Sequence, residues 1–344
     1  IVEALLKPEL SAEKFGRFKD ELARELRNVE KEPPSDQVVS EIYRLLTRPY
    51  WSERERLAAL EELDVVALRD FAPALLEKVN LVALSQGNVT RENALQLAGV
   101  LHEGFGDRLA NQVVTRPRVK KLEQGTEYER RLAISHTDSG FELYLQGNGK
   151  EIEERAKAYL LSQLLKAPFY YQLRTVDQAG YIVSASPMSM LEVPAVMFTI
   201  QSPAFRPARL YDMVAEFLAG FGERLADMEQ NDFEATRDGL VSTILQKDRK
   251  LSARTARNWR EIDRREFGFD SRERLAEAVG RLTRKEMAKY YAELIDMGRG
   301  RRLVVTSAGS GGEGDAELPA RERRKLVEDP VAFRNGGGGY FSEY

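Results

Sequence analysis

Strand-forming and helix-forming segments are grouped along this sequence rather than alternating one by one. The first hundred residues are mostly helical in pattern, β-rich segments interrupted by a helix follow from about residue 128 to 202, and helical patterns then lead to a last strand-like segment, RRLVVTSA. A doubly wound parallel sheet requires regular strand–helix–strand alternation, which is missing here. The order of the segments therefore predicts an α+β fold with mainly antiparallel sheets covered by helices.

The first block contains several helix signals. Ser52 and Glu55 form a capping-box pattern, and Asp64 is placed to cap the helix that follows. A further helix is predicted from about 90 to 109, and the apolar segment NLVALSQGN before it, residues 80–88, is predicted to be a buried strand. The first long helix is marked by apolar residues at helical spacing, namely Phe15, Phe18, Leu22, Leu26 and Val29.

The second block begins with strands. YERRLAIS and FELYLQG are separated by the turn residues HTDSG, which predicts an antiparallel hairpin. GYIVSAS and AVMFTIQS predict two more strands after a helix from about 151 to 165. Thr283 and Glu286 form another capping box, so a helix is expected to begin there.

The stretch NQVVTRPRVKKLEQGT is polar and contains proline, which is typical of a connection between domains. A chain of 344 residues also fits about two domains. We therefore expect a first domain at 1–115, a linker at 116–125, a second domain at 126–309, and a Gly-rich loop and C-terminal tail at 310–344. Each domain is expected to hold its own sheet, the N-terminal one incomplete because its opening strands are missing.

Charge and composition argue against several classes of function. With 52 Lys and Arg against 55 Asp and Glu, the net charge of -3 gives no electrostatic reason to expect a nucleic-acid or membrane partner. The absence of cysteine excludes disulfides and thiolate metal sites. No apolar run reaches the ~18 residues of a transmembrane helix. Because the chain opens on Ile1 rather than Met, we expect a processed or truncated piece of a longer protein.

The glycines of GSGGEG match a dinucleotide-binding pattern in spacing alone. Gly309, Gly311 and Gly314 follow a predicted strand, but such a site also needs a helix that opens on the glycines and an acidic residue about 20 residues later on a second strand. Pro319 and a highly charged segment follow instead. We therefore predict a flexible loop here, and another loop or hinge at the four glycines from 336 to 339.

Metal ligation and a hydrolytic triad have little support in the sequence. A helical zinc site needs two His at a short fixed spacing together with a carboxylate, whereas His102 and His136 lie 34 residues apart. Each histidine is therefore predicted to be a surface or packing residue, and a Ser-His-Asp triad has no suitable histidine. We expect no metal and no other cofactor in this chain.

One segment carries a more specific pattern. LRTVDQAGYIV, residues 173–183, joins a helix, a tight turn and a strand; VMFTIQS and LSARTARNWREIDRREFGFDSRERLAEAVGRLTRKEMAKYYAEL follow it. Together with ELRNVEKEPP and ALSQGNVT in the first block, these segments resemble the C-terminal half of the pitrilysin and insulin-degrading enzyme family of zinc metallopeptidases. The resemblance covers about residues 10 to 308.

The resemblance implies an enzyme of four related α+β domains, arranged as two halves around an enclosed chamber. In this family the N-terminal half carries an inverted zinc motif, HxxEH, which this sequence lacks. The chain is therefore expected to be the half without zinc, part of the third domain and most of the fourth, and to be inactive alone. Its partners would be a peptide or small-protein substrate and the zinc-bearing N-terminal half. A periplasmic or a cytoplasmic location would fit the family.

The same resemblance assigns roles to Arg174 and Tyr181. They correspond to the family's residues that reach the scissile peptide bond, with Tyr181 donating its phenol to the tetrahedral intermediate and Arg174 holding a substrate carbonyl and the developing charge. We expect both on one concave surface, Arg174 at a helix end and Tyr181 at a strand start, each free of internal partners. The alternative is structural, with Arg174 favouring a helix C-terminus and Tyr181 packing in a strand.

Two other functions stay open. The first is a non-catalytic partner subunit or peptide-binding protein with the same fold. The second is an unrelated α+β binding module, which would require the long resemblance to be accidental. An upstream HxxEH motif followed by a Glu ligand in the full reading frame would distinguish the enzyme from the partner subunit.

Overall fold

The structure is a computed structural model that describes residues 2–110, 116–336 and 339–341. The helices are α1 (Val2–Leu6), α2 (Ala12–Asn28), α3 (Pro34–Leu46), α4 (Glu53–Glu62), α5 (Val65–Leu75), α6 (Arg91–Phe105), α7 (Ile152–Phe169), α8 (Pro207–Asp227), α9 (Gln230–Ile244), α10 (Leu251–Asp263), α11 (Ser271–Gly280), α12 (Arg284–Ile295) and α13 (Pro330–Asn335). The strands are β1 (Thr47–Arg48), β2 (Arg118–Val119), β3 (Glu127–Leu132), β4 (Ser139–Gln146), β5 (Ile182–Met190), β6 (Val193–Ser202), β7 (Arg301–Ser307) and β8 (Arg324–Leu326). Both predicted capping boxes are confirmed, at Ser52 with Glu55 and at Thr283 with Glu286.

Packing divides the chain into two units, each assembled from segments that are distant in the sequence. The first comprises Ile1–Lys31, Trp51–Arg116 and Asp248–Phe267, and the second comprises Glu32–Tyr50, Pro117–Lys247 and Gly268–Tyr344. Helix α3 therefore packs in the second unit, and α10 packs in the first. In the described part of the chain, none of the helices combines the length and apolar character that crossing a membrane would require.

The first unit is helical in the residues that the structure describes. A small apolar core lies between α2 and α4, while several large apolar side chains are more than half exposed: Phe71, Leu75, Leu95 and Leu97. The predicted buried strand at 80–88 is wrong, since this segment is irregular and mostly exposed. A strand needs a hydrogen-bonded neighbour, and the described residues nearby supply one isolated bridge, between Val79 and Leu109.

The second unit contains, among the described residues, a six-stranded sheet in the order β5-β6-β4-β7-β3-β8. The β5/β6, β6/β4 and β4/β7 pairs are antiparallel, and the β7/β3 and β3/β8 pairs are parallel. Helices α7, α8 and α12 pack against one face of the sheet, and α3 packs against the other. The prediction of an α+β fold with a mainly antiparallel sheet covered by helices is confirmed. The separate, incomplete sheet expected in the N-terminal domain is wrong for the described residues 2–110, where β1 is the one strand and pairs with β2 outside that range.

The predicted hairpin between β3 and β4 is wrong. Strand β7 lies between them and pairs in parallel with β3 and antiparallel with β4. The turn residues HTDSG do connect the two strands, but β7 is buried at every position. A central strand of this kind needs a hydrogen-bonding neighbour on each edge, and β3 and β4 are the strands that provide them.

The domain boundaries expected at 115 and 125 stay a prediction, and residues 111–115 lie outside the described part of the chain. Within the expected linker, β2 pairs with β1, and Val119 and Leu122 are buried in the second unit's core. In the expected C-terminal tail, β8 joins the sheet beside β3, and α13 packs against α3.

The segment from Gly309 to Gly314 contains no helix, as predicted. Of the four glycines at 336–339, residues 337 and 338 lie outside the described part.

Glu142 is an acidic residue that is fully buried in the centre of the sheet. It lies on β4 opposite Thr199 of β6 and Val305 of β7, on the same sheet face as Tyr144. Burial raises the pKa of Glu142 to about 8, because the Thr199 side chain and the Phe198 backbone offset the loss of solvation only in part. The carboxyl group is therefore mostly protonated at neutral pH in the folded chain.

We expect Glu142→Gln to flatten the dependence of stability on pH. The folded chain keeps this proton up to about pH 8, whereas an unfolded glutamate loses it near 4.5. The free energy of unfolding should therefore fall as pH rises from 4.5 to about 8, because the folded state binds the extra proton. Chemical denaturation across this range measures the effect, with the exposed Glu322→Gln as a matched control. A parent chain and a Glu142→Gln chain with parallel profiles would contradict the prediction.

Candidate functional site

The segment between α7 and β5 brings a helix end and a strand start together. Helix α7 continues as a π-helix over Tyr170–Val176. In the turn that follows, the N–H of Asp177 donates to the carbonyl of Gln172, and the N–H of Ala179 donates to the carbonyl of Leu173. Leu173 and Ala179 are fully buried. These two residues therefore anchor both sides of the turn in the core of the second unit.

Two backbone positions fix the path of this turn. Gln178 adopts the left-handed conformation, with φ of 52°, which is uncommon for a residue other than glycine. Gly180 lies so close to β6 that a Cβ atom would sit 2.1 Å from the carbonyl oxygen of Gln201. Only glycine allows the two backbones to approach this closely. The turn is thereby pressed against the end of β6, and this fixes the position of Tyr181, which follows it.

Arg174 and Tyr181 line one open pocket of about 530 Å³, together with Tyr170, Gln178 and Pro203 among others. Arg174 lies in the last turn of the π-helix, and Tyr181 immediately precedes β5. Half of Tyr181 is exposed. Within the described residues, Arg174 makes no hydrogen bond or ion pair. The structure therefore brings the two residues together on a concave surface.

The hydroxyl of Tyr181 has internal partners, so the expectation that it would be free is wrong. It donates to Oδ2 of Asp138 at 2.9 Å and accepts a hydrogen bond from Nε2 of Gln201. Gln201 also donates to the same oxygen of Asp138, at 3.0 Å. Tyr181, Asp138 and Gln201 thus form a closed set of hydrogen bonds, which we call the Asp138 triangle.

Sequence reasoning missed both Asp138 and Gln201. Asp138 belongs to HTDSG, a pattern that predicts only a turn. Gln201 lies in the apolar strand AVMFTIQS and is completely buried. Because a buried amide needs hydrogen-bond partners, a glutamine within an apolar strand is the signal that points to a polar contact at this position.

Electrostatics keep Asp138 charged and Tyr181 neutral. Burial alone would raise the pKa of Asp138, but hydrogen bonds from Gln201, Tyr181 and Thr137 and the nearby His136 hold it below its usual value. Burial and the Asp138 carboxylate both raise the pKa of the Tyr181 hydroxyl. At neutral pH the phenol therefore carries a proton that it can donate.

Neither histidine belongs to a metal site in the part of the chain that the structure describes. Nδ1 of His136 accepts a hydrogen bond from the N–H of Asp138 at 2.9 Å, and His102 lies in α6. Among residues 2–110, 116–336 and 339–341, no group of three or more His, Asp or Glu side chains could hold a metal ion. These described residues therefore do not fit a zinc centre.

A protein-family model matches residues 160–259, and it describes domain 4 of the C-terminal lobe of PqqF-like PQQ synthase. The matched range begins in α7 and ends in α10. It therefore includes Arg174, the turn and Tyr181.

Curated proteins with similar sequences align with most of the chain. Human insulin-degrading enzyme is 28% identical over 313 residues, which are 89% of this chain and 30% of that protein. A nardilysin-like protein of Arabidopsis thaliana and the A-factor-processing enzyme of Saccharomyces cerevisiae are each 25% identical, over 94% of this chain and 32% of their own length. The chain thus spans about a third of the length of these relatives.

Solved structures share the fold. Pitrilysin superposes with a TM-score of 0.87 at 23% identity, over 98% of this chain and 36% of that chain. A structure described as a peptidase M16 inactive domain from Pseudomonas fluorescens superposes with a TM-score of 0.62 at 14% identity, over 92% of this chain and 74% of that one. At these identities the similarity concerns the fold.

Proposed function

Because this chain corresponds to the C-terminal half of the pitrilysin and insulin-degrading enzyme family, we propose that it is the C-terminal half of a zinc metalloendopeptidase of that kind. In this proposal it encloses a peptide or small-protein substrate and supplies Arg174 and Tyr181 to the scissile bond. The zinc would belong to an N-terminal half, since the residues that the structure describes do not fit a zinc site.

The observation that supports the proposal most directly is that Arg174 and Tyr181 line the same open pocket. Arg174 is charged and makes no hydrogen bond or ion pair with the described residues. Its guanidinium donors are therefore available to a ligand. Tyr181 lines the same pocket, and half of its surface is exposed. A purely structural arginine would be expected to bind a carboxylate or a helix carbonyl.

The chemistry of peptide hydrolysis explains why such a pair is useful. The reaction passes through a tetrahedral intermediate in which an oxygen becomes negatively charged. Donors that are already in place stabilise this charge without reorganising during the reaction. Arg174 would hold a substrate carbonyl and the developing charge. Tyr181 would donate its phenol once a substrate oxygen replaces Asp138 as the acceptor.

A second function has a specific observation in its favour. The Tyr181 hydroxyl is bound to the Asp138 carboxylate, an acceptor that competes with a substrate oxygen. The similar fold from Pseudomonas fluorescens is described as an inactive domain. On this alternative the chain is a non-catalytic partner subunit or peptide-binding protein, which binds peptides without using Tyr181 in turnover.

We expect the isolated chain to bind no stoichiometric zinc and to cleave no peptide. Elemental analysis after dialysis against zinc, together with a fluorogenic peptide assay, measures both. Adding the N-terminal half from the full reading frame should produce zinc-dependent cleavage. Zinc held by His102 or His136 in the isolated chain would contradict the metal prediction. Peptide binding by the chain, without any gain in cleavage when the two halves are combined, would favour the second function.

A further inference from the structure

Gln201 has an orientation that is set from outside the Asp138 triangle. Its Oε1 atom accepts a hydrogen bond from the N–H of Ser35, in the first turn of α3, at 3.2 Å. Because an amide oxygen cannot donate, this bond leaves Nε2 to face Asp138 and Tyr181. Gln201 is also completely buried. It therefore presents its two N–H donors to the triangle whether or not Tyr181 remains in place.

Asp138 is likewise fixed by its own loop. Its N–H donates to His136, and the Thr137 hydroxyl donates to Oδ1 at 3.2 Å. Gly309 packs so closely that a Cβ atom would lie 2.2 Å from the Thr137 carbonyl oxygen. Only 11% of the Asp138 side chain is exposed. The position of the Asp138 carboxylate is therefore set by contacts that do not involve Tyr181.

From this geometry we infer that Asp138 is a positioning residue for Tyr181: its carboxylate holds the hydroxyl, and with it the ring, on the wall that Arg174 shares. The inference rests on the proposed role of Tyr181. When a substrate oxygen arrives, the Tyr181 hydroxyl turns from Asp138 towards it, while Gln201 continues to donate to the carboxylate. Asp138 itself acts through Tyr181 and does not touch the substrate.

The direct test is the titration of the Tyr181 hydroxyl in the full chain. Asp138→Asn removes the charge but keeps the size and one acceptor oxygen. We expect Tyr181 to titrate at a lower pH in this variant, because the carboxylate no longer disfavours the phenolate. NMR of isotope-labelled tyrosine side chains measures the titration, and the signal lost in Tyr181→Phe identifies this residue among the 13 tyrosines.

The matched control is Asp177→Asn. Asp177 lies in the same turn but accepts from Gln172 rather than from Tyr181, so the titration of Tyr181 should not move. A folded Asp138→Asn chain in which Tyr181 titrates as in the parent would overturn the inference.

Activity of the enzyme assembled with its N-terminal half gives a second measurement. Asp138→Ala should lower kcat about tenfold and change KM less than about twofold, because losing one charge-assisted hydrogen bond releases the Tyr181 ring. Asp138→Asn should recover most of the lost kcat.

The outcomes distinguish the positioning inference from the proposed function. If Tyr181→Phe and both Asp138 variants leave kcat unchanged while Asp138→Asn shifts the titration of Tyr181, the positioning contact stands and the proposed function fails. If Tyr181→Phe lowers kcat but neither Asp138 variant changes kcat or the titration, the positioning inference fails. If Asp138→Ala does not fold, the titration of the Tyr181 hydroxyl in Asp138→Asn tests the positioning inference.

Discussion

Replacing Tyr181 with phenylalanine should lower kcat of the assembled enzyme by about 10²-fold or more, by analogy with the loss of one oxyanion donor. The substitution removes the hydroxyl and its contact with Asp138, and it leaves no cavity in the core because half of the residue is already exposed. Asp138 would still receive hydrogen bonds from Gln201 and Thr137. Stability should therefore change little. Steady-state kinetics on a fluorogenic peptide, with a thermal melt of each protein, measure the two effects.

Tyr170→Phe is the matched control for this experiment. Tyr170 lines the same pocket and is also about half exposed, but it is not expected to contact the reacting bond. Its variant should turn over substrate like the parent. If Tyr181→Phe also retained the parent kcat, Tyr181 would return to a packing role, and the non-catalytic partner would become the better proposal.

Arg174→Ala should lower kcat/KM of the assembled enzyme by about 10²-fold, because a hydrogen bond to a charged group contributes about 1.5–3 kcal/mol and each 1.4 kcal/mol is tenfold in rate. Since Arg174 makes no hydrogen bond or ion pair with the described residues, its removal should cost the fold little. Arg174→Lys should give an intermediate loss, because lysine keeps the charge but lacks the planar guanidinium fork. The full progress curve for each variant separates kcat from KM.

Arg224→Ala provides the comparison for Arg174→Ala. Arg224 is exposed and lines a neighbouring pocket with Gln172 and Asp177, so removing it takes away a nearby positive charge without touching the proposed site. Equal losses in the two variants would indicate a general electrostatic effect on substrate binding. An Arg174→Ala chain that melts well below the parent would indicate a structural arginine.

The features that depend on local sequence could be predicted. In both capping boxes the partners lie three residues apart, so Ser52 with Glu55 and Thr283 with Glu286 meet as soon as a helix begins. The family resemblance implied that Arg174 and Tyr181 share one surface, and in the structure the short turn that connects the helix end to the strand start brings them to one pocket.

The features that depend on distant residues could not be predicted. Asp138 and Gln201 are 63 residues apart, and the sequence around each residue does not indicate that the other is its hydrogen-bond partner. The strand expected at 80–88 failed for a similar reason, since an apolar segment becomes a strand only if a partner lies beside it. The turn residues before β4 were a correct local signal, but they do not report which strand lies between β3 and β4.

The place of β7 in the sheet has a consequence for the order in which the second unit can assemble. Strands β5, β6 and β4 pair with one another, but β3 reaches them only through β7. During synthesis, the edges of β3 and β4 that pair with β7 therefore stay unpaired until residues 301–307 have been made. Pairings between residues so far apart form slowly, and open strand edges invite pairing with other chains. A chain that ends before residue 301 would thus still pair β5, β6 and β4, but one edge of β4 and both edges of β3 would stay open to self-association.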